Sequence, residues 1–292
     1  MVDSFLQYLT HEKRYSPHTV VSYKNDLAQL GIFLSDQYEL QEPSKATYAM
    51  LRHWVGSLSE SGLAPGSINR KIIAVRSYFR FLQKRRSVSE NPALRLRALK
   101  TGKPLPQFIE ETEMARLIDH RDWGEGFEGL RDLTILELLY GTGMRLSELT
   151  RLKVSDVDLY GGTVKVLGKR NKERVIPITP SLGVLLRKYL DALRQRFACN
   201  DNSFLIVTDK GEGCYPMFVN RTVKRYIGTA SVDRKSPHVL RHTYATHLLD
   251  HGADLNAVKD LLGHQSLAAT QIYTHTTPGK LKKIFDQAHP KA

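Results

Sequence analysis

Cysteine is nearly absent. Of 292 residues only Cys199 and Cys214 carry thiols, and neither stands in a metal-ligand spacing, so a disulfide framework is not expected and a reduced compartment is the simplest setting. No apolar run approaches the roughly 20 residues that cross a bilayer. The opening Met-Val-Asp-Ser-Phe lacks the basic and apolar regions of a secretory signal, so a cytoplasmic location with no membrane partner is expected. Internal repeats and low-complexity tracts are missing as well, which leaves ordinary globular domains. Acidic residues are in deficit. Thirty Asp and Glu face 43 Lys and Arg, a formal charge of +13 and a pI near 9.7. Such a balance points to a polyanionic partner, because each phosphate neutralised releases a condensed counterion; a solvated basic surface is the plainer alternative.

What is present favours the polyanion. Between Arg70 and Lys100 ten basic residues stand against one acid, Glu90, giving that segment +9, more than solvation requires. The length suggests two domains. Ser16-Pro17 starts a helix, with Val20, Tyr23, Leu27, Leu30 and Leu34 following in steps of three and four. A second helix carries Ile68, Ile72, Val75, Phe79 and Leu82 on one face, while Arg76, Arg80 and Lys84 step by four along another. One side of it packs and the other is free to meet DNA, with Arg70 in the same segment. The prolines and glycine of Lys-Thr-Gly-Lys-Pro-Leu-Pro at 100–106 mark a linker. The expected boundaries are a helical domain over 1–100, a linker over 101–108, a second domain over 109–275 and a tail over 276–292. In the second domain a helical pattern breaks at Gly141-Thr142-Gly143 and restarts through Arg145, Leu146, Glu148 and Leu149. Strands are expected at Thr163–Leu167 and Arg174–Ile178 around a polar turn. Helical spacing returns at Leu182, Leu185, Leu186, Tyr189 and Leu193, and Ser236-Pro237, Gly252, Gly263 and Ser266 punctuate three more helices.

Several residues could carry chemistry, each with a plain alternative. His238 and Arg241 are three apart near a helix start, where free N–H groups favour an anion, or they are merely solvated. His238 with His242, and His247 with His251, share the four-residue spacing of a zinc pair, but no HExxH glutamate or cysteine accompanies them. Glu148 stands three residues after Arg145, close enough to orient its guanidinium or to form an ordinary ion pair. Lys169 lies at the hairpin tip, His264 follows Gly263 at a helix end, and Tyr273 sits in Ala-Thr-Gln-Ile-Tyr-Thr-His. Two arginines, a lysine, two imidazoles and a tyrosine are together what phosphodiester transfer without a metal requires. A tyrosine of pKa about 10 needs a proton acceptor and nearby positive charge to attack. Arginine forks stabilise charge on the non-bridging oxygens, and a lysine desolvated against DNA can protonate the leaving oxygen.

The stretches Gly-Thr-Gly-Met-Arg-Leu-Ser-Glu-Leu (141–149), Gly-Lys-Arg-Asn-Lys-Glu-Arg-Val-Ile-Pro-Ile (168–178), Pro-His-Val-Leu-Arg-His-Thr-Tyr-Ala-Thr-His-Leu (237–248), Leu-Leu-Gly-His-Gln-Ser (261–266) and Thr-Gln-Ile-Tyr-Thr-His (270–275) resemble the tyrosine site-specific recombinases of the phage integrase family, above all the Xer group. Ser-Pro-His-Thr-Val-Val-Ser-Tyr-Lys-Asn-Asp-Leu near the start resembles the Xer core-binding domain. The resemblance implies a mainly α, two-domain clamp: a SAM-like helical core-binding domain and an α-rich catalytic domain with a small antiparallel sheet. It implies that Arg145 and Arg241 bind the scissile phosphate, Lys169 is the general acid, His238 assists proton transfer, His264 adds a donor, Tyr273 is the nucleophile and Glu148 supports Arg145. No metal, ATP or other cofactor is implied. The implied partners are double-stranded DNA at a recombination site and a tetramer formed with itself or a second Xer recombinase, with activation by a DNA translocase left open; the implied role is resolution of chromosome dimers. The tail over 276–292 reads as a segment exchanged between protomers. A mobile-element integrase, a type IB topoisomerase and a DNA binder without catalysis are the competing readings.

Overall fold

The computed structural model describes residues 1–102, 107–119, 122–168, 173–263 and 285–291. The chain divides into two compact units, Met1–Pro104 and Leu105–Ala292.

The first unit is helical. Helix α1 (Val2–Gln7) runs into a single π-helical turn (Tyr8–Glu12), followed by α2 (Pro17–Tyr38), α3 (Tyr48–Glu60) and α4 (Pro65–Lys84). The start of α2 is set locally: the Ser16 hydroxyl accepts the Thr19 N–H and Pro17 occupies the first turn. Tyr23, Leu27, Leu30 and Leu34 of α2 are buried, as are Ile68, Ile72, Val75, Phe79 and Leu82 of α4, and they share one core with Phe5, Leu51 and Trp54. One charge is enclosed there. Asp26 of α2 is paired by Lys71 of α4 at 2.9 Å, and the Arg70 guanidinium also reaches it. A buried carboxylate is tolerated only with such partners.

The second unit is built around α6 (Phe127–Thr142), which is buried on nearly every side. Helix α5 (Glu111–Asp119) precedes it, and it packs against α8 (Pro180–Arg196), α9 (Pro216–Tyr226) and α10 (Pro237–Asp250). A short helix α7 (Leu146–Leu149) leads into an antiparallel sheet of β1 (Val157–Asp158), β2 (Thr163–Leu167) and β3 (Glu173–Pro177) in that order. Strand β3 begins and ends one residue earlier than expected, and β1, only two residues long, carries no alternation by which the sequence could announce it. In the β2–β3 register Val164 faces Ile176 and Val166 faces Arg174; Val164, Val166 and Ile176 are buried. The fold closes with α11 (Leu255–Leu262), capped by Asp254, whose carboxylate accepts the Asn256 and Ala257 N–H groups. Ser236 stands at the N-cap of α10 as expected, but its hydroxyl makes no cap hydrogen bond. Residues 285–291 pack onto this same unit: Phe285 joins the core, and Lys291 Nζ pairs with Asp119 and Glu137, each at 2.8 Å. No helix among the described residues is long and apolar enough to cross a membrane.

Candidate active site

The site starts where α6 stops. Gly143 ends that helix at φ 59°, a left-handed conformation that favours glycine. A Cβ there would meet Tyr244 Cδ1 at 2.4 Å and Leu262 Cδ2 at 2.8 Å. The chain then extends through Arg145, the N-cap of α7. Glu148, in the first turn of α7, turns back on it: Oε2 accepts the Arg145 backbone N–H at 2.7 Å and Oε1 accepts Arg145 Nη1 at 2.9 Å. The three-residue spacing therefore does pair these side chains, across a helix N-terminus rather than along a helical face.

A third arginine enters from the sheet. Arg174 Nη1 donates to Glu148 Oε1 at 2.6 Å and Nη2 to Oε2 at 2.9 Å, a two-pronged contact on a carboxylate whose side chain is 1% exposed. Arg241, one turn into α10 and itself buried, donates Nη1 to the Gly143 carbonyl at 2.5 Å. The end of α11 gathers all three guanidinium groups. Leu261 O accepts Arg174 Nε at 3.0 Å, Leu262 O accepts Arg241 Nη2 at 2.7 Å, and Gly263 O accepts Arg145 Nη2 at 2.9 Å. Carbonyls at a helix C-terminus have no partner within the helix and carry its negative dipole end, so three successive ones form a natural dock for cations.

The charges do not balance. Among the described residues one carboxylate, Glu148, stands with three guanidinium groups, and together they sum to +2. Burial would raise the Glu148 carboxyl, yet the Arg174 fork and the Arg145 contacts outweigh it and hold Glu148 below its ordinary value. Burial first, then the positive charges of Arg145 and Arg174, push the Arg241 guanidinium down to about 10. That mutual repulsion makes the cluster a receptor for an anion. Arg145 keeps a side chain 32% exposed, from which it can reach one. His238 lies exposed in the first turn of α10, three residues before Arg241. Lys169, His264 and Tyr273 lie outside the described residues, although His264 directly follows Gly263 in the chain.

Two expectations from histidine and arginine spacing change. His247 is a buried structural residue, its Nδ1 paired with the Tyr140 hydroxyl and its Nε2 with the Ile109 carbonyl, both at 3.0 Å, so both ring nitrogens are occupied. Arg174, expected as the start of a strand, is also a member of the site. The signal available was its parity: Arg174 shares the inward face with Ile176, where a charge demands a buried counter-charge.

The basic segment of the first unit also divides. Lys71 points into the core rather than outward, and Arg70 is shared with Asp26. Arg76 is half-buried and donates Nε to the Ala93 carbonyl at 3.1 Å and a second N–H to Leu96 O, stapling the 92–95 turn to α4. Lys84 Nζ rests 5.5 Å from the Tyr8 ring centroid. Arg80 is exposed, with no ion-pair partner among the described residues. The outward charge of α4 is therefore smaller than the count of residues suggested.

Comparison with known proteins places these features in context. Residues 107–280 match the phage integrase family, and residues 2–86 match the phage integrase N-terminal SAM-like domain. The tyrosine recombinase XerC of Chlorobaculum parvum is 38% identical, with 100% of this chain and 94% of the relative covered. That of Staphylococcus aureus is 40% identical over 99% of this chain and 96% of the relative. Among solved structures, the XerH recombinase in a post-cleavage complex with a palindromic difH substrate is 22% identical with a TM-score of 0.73, covering 97% of this chain and 83% of that one. The Tn1549 transposon integrase with transposon right-end DNA is 17% identical with a TM-score of 0.74, covering 98% of each chain. The two structures speak to the fold.

Proposed function

Because the chain belongs to the phage integrase family, as a Xer-type tyrosine recombinase that exchanges DNA strands site-specifically, we propose that Tyr273 is its nucleophile and that Arg145 and Arg241 bind the scissile phosphate. The Tyr273 phenolate oxygen attacks phosphorus and the bond to the 5′-oxygen breaks, leaving a 3′-phosphotyrosyl link and a free 5′-hydroxyl. His238 takes the phenol proton and Lys169 gives one to the departing oxygen. Arg145, Arg241 and His264 donate to the non-bridging oxygens as charge grows there, with Glu148 holding Arg145. A partner strand's hydroxyl then reverses the step. One phosphate ester replaces another, so neither ATP nor a metal is required.

The observation that carries this reading is the pair Arg145 and Arg241, docked on the adjacent carbonyls of Gly263 and Leu262. Two forked donors on neighbouring anchors suit two oxygens of one phosphate. The substrate is double-stranded DNA, met by Arg80 and Lys84 and in part by Arg70 and Arg76 of the first unit, within a tetramer built with itself or a second Xer recombinase. Resolving chromosome dimers in the cytoplasm, under a DNA translocase, is the role proposed for it. Incubation with a nicked duplex carrying its site should trap a covalent protein–DNA complex that Tyr273→Phe abolishes. A complex that persists in that variant would reassign the nucleophile. A plasmid with two sites separates strand exchange from relaxation, since deletion products arise only from the former.

A further inference from the structure

Arg174 occupies a position where the sheet otherwise places aliphatic side chains. It stands opposite Val166, on the face that buries Val164 and Ile176, and its own side chain is only 15% exposed. A guanidinium in such a place is destabilising unless its N–H groups are answered. They are answered by the two elements that carry the phosphate site. Both Nη atoms grip the two oxygens of Glu148, the carboxylate that holds Arg145 by backbone and side chain. Nε grips Leu261 O, the carbonyl immediately before the anchors of Arg241 and Arg145. Gly263 leaves room for this: a Cβ there would meet the Arg174 side chain at 3.3 Å.

We propose that Arg174 is a positioning residue of the phosphate site, which fixes the Glu148 carboxylate by both oxygens and the last turn of α11 by Leu261, and so sets where Arg145 and Arg241 present their remaining N–H groups. The inference rests on the reading of those two arginines as phosphate ligands. Nε, Nη1 and Nη2 of Arg174 each donate to a protein acceptor and its side chain is less exposed than that of Arg145, so its part is to act through Glu148 and Leu261. Its planar fork is the working feature. Without it Glu148 keeps, among the described residues, only Arg145 as a partner, and the turn at 261–263 loses one of the three ties described. A lysine keeps the charge but cannot span both carboxylate oxygens.

The test is single-turnover formation of the covalent complex on a nicked duplex at saturating protein, with DNA affinity and thermal unfolding measured in parallel. Arg174→Lys, Arg174→Met and Glu148→Gln should each slow cleavage on the order of a hundredfold, the effect of a misplaced reacting group, while the half-saturating protein concentration moves by less than about threefold. Arg174→Lys should fall nearer to Arg174→Met than to the unaltered protein. The double variant Arg174→Met with Glu148→Gln should be no slower than the slower single, since both act through one geometry. Cleavage by Arg174→Lys within about threefold of the unaltered rate would overturn the proposal, because charge alone would then suffice. Multiplying effects in the double variant would overturn it too, by making Arg174 independent of Glu148. Unfolding of both Arg174 variants would reduce the residue to a core strut. Tyr273→Phe in the same assay reads the underlying assignment separately: a covalent complex there sinks the nucleophile whatever Arg174 does.

Discussion

At the scale of the residue, Gly143 meets two demands at once. Its φ of 59° excludes most side chains, and its Cα hydrogen faces Tyr244 and Leu262 so closely that a methyl would sit 2.4 Å from the tyrosine ring. Its carbonyl also anchors Arg241. Gly143→Ala should therefore destabilise the protein by about 2–4 kcal/mol through backbone strain and overpacking, measured by denaturant unfolding, and should slow cleavage in whatever fraction stays folded. An unchanged unfolding midpoint would mean that the turn relaxes more easily than its contacts imply. The break at 141–143 was legible in the sequence because glycine punctuates a helix by a local rule. The reason for this particular glycine was not, since Leu262 lies some 120 residues further on and no local pattern names it.

At the scale of the element, α4 shows how far periodicity reaches. Its apolar face follows from steps of three and four: Ile68, Ile72, Val75, Phe79 and Leu82 are all buried. The polar positions were not separable by the same means. Lys71 sits beside Ile72 and turns inward because Asp26 waits for it on α2, whereas Arg80, on the same helix, faces outward. Lys71→Met should thus cost about 3 kcal/mol, by leaving a buried carboxylate with one fewer partner. Arg80→Ala should leave stability within about 0.5 kcal/mol and instead lower DNA affinity, reducing the slope of log affinity against log salt by about one. Urea unfolding and filter binding across a salt series distinguish the two. An Arg80→Ala protein with an unaltered salt slope would remove that residue from the DNA-facing set.

At the scale of the whole molecule, the chain's last described segment returns to the second unit. The Ala288 carbonyl lies 3.1 Å from His251 Nδ1, and the His289 ring is buried beside Phe285, with centroids 4.7 Å apart. His289 Nδ1 accepts the Lys291 N–H at 3.0 Å, so its proton belongs on Nε2, and a second proton would set two donors face to face. Burial, with Lys291, His251 and His247 adding like charge, pushes the imidazole down to about 4 from 6.5. A depressed folded value means that the unfolded or undocked chain binds the extra proton first. The docked state is then fully favoured above about pH 6.5 and weakens as pH falls through about 4, by up to roughly 3 kcal/mol. Glu137, which burial raises despite Lys291, works in the opposite direction. His289→Gln isolates the imidazole. Amide protection factors at 285–291, taken relative to the intrinsic exchange rate at each pH, should fall on acidification in the unaltered protein and lose most of that dependence in the variant; equal pH profiles would discount His289. The proposed exchange of 276–292 between protomers starts from this docked segment. Removing the residues after Pro278 should lower cooperativity in gel shifts on paired sites while sparing single-site binding.

Local chemistry in the sequence sets helix starts such as Ser16-Pro17, the break at 141–143 and the apolar faces of α2 and α4, and it holds the residue types proposed for phosphate transfer in an ordered series of motifs. Those properties depend on neighbours within a turn or two, where period, caps and glycines act. Tertiary packing alone puts Arg174 beside Arg145 on the Glu148 carboxylate, docks Arg145, Arg174 and Arg241 on three successive carbonyls, and turns Lys71 to the core. Such pairings join positions tens to more than a hundred residues apart, and they form because a buried charge must find a counter-charge wherever packing brings one; the parity of Arg174 marks the demand, but no local spacing names the partner.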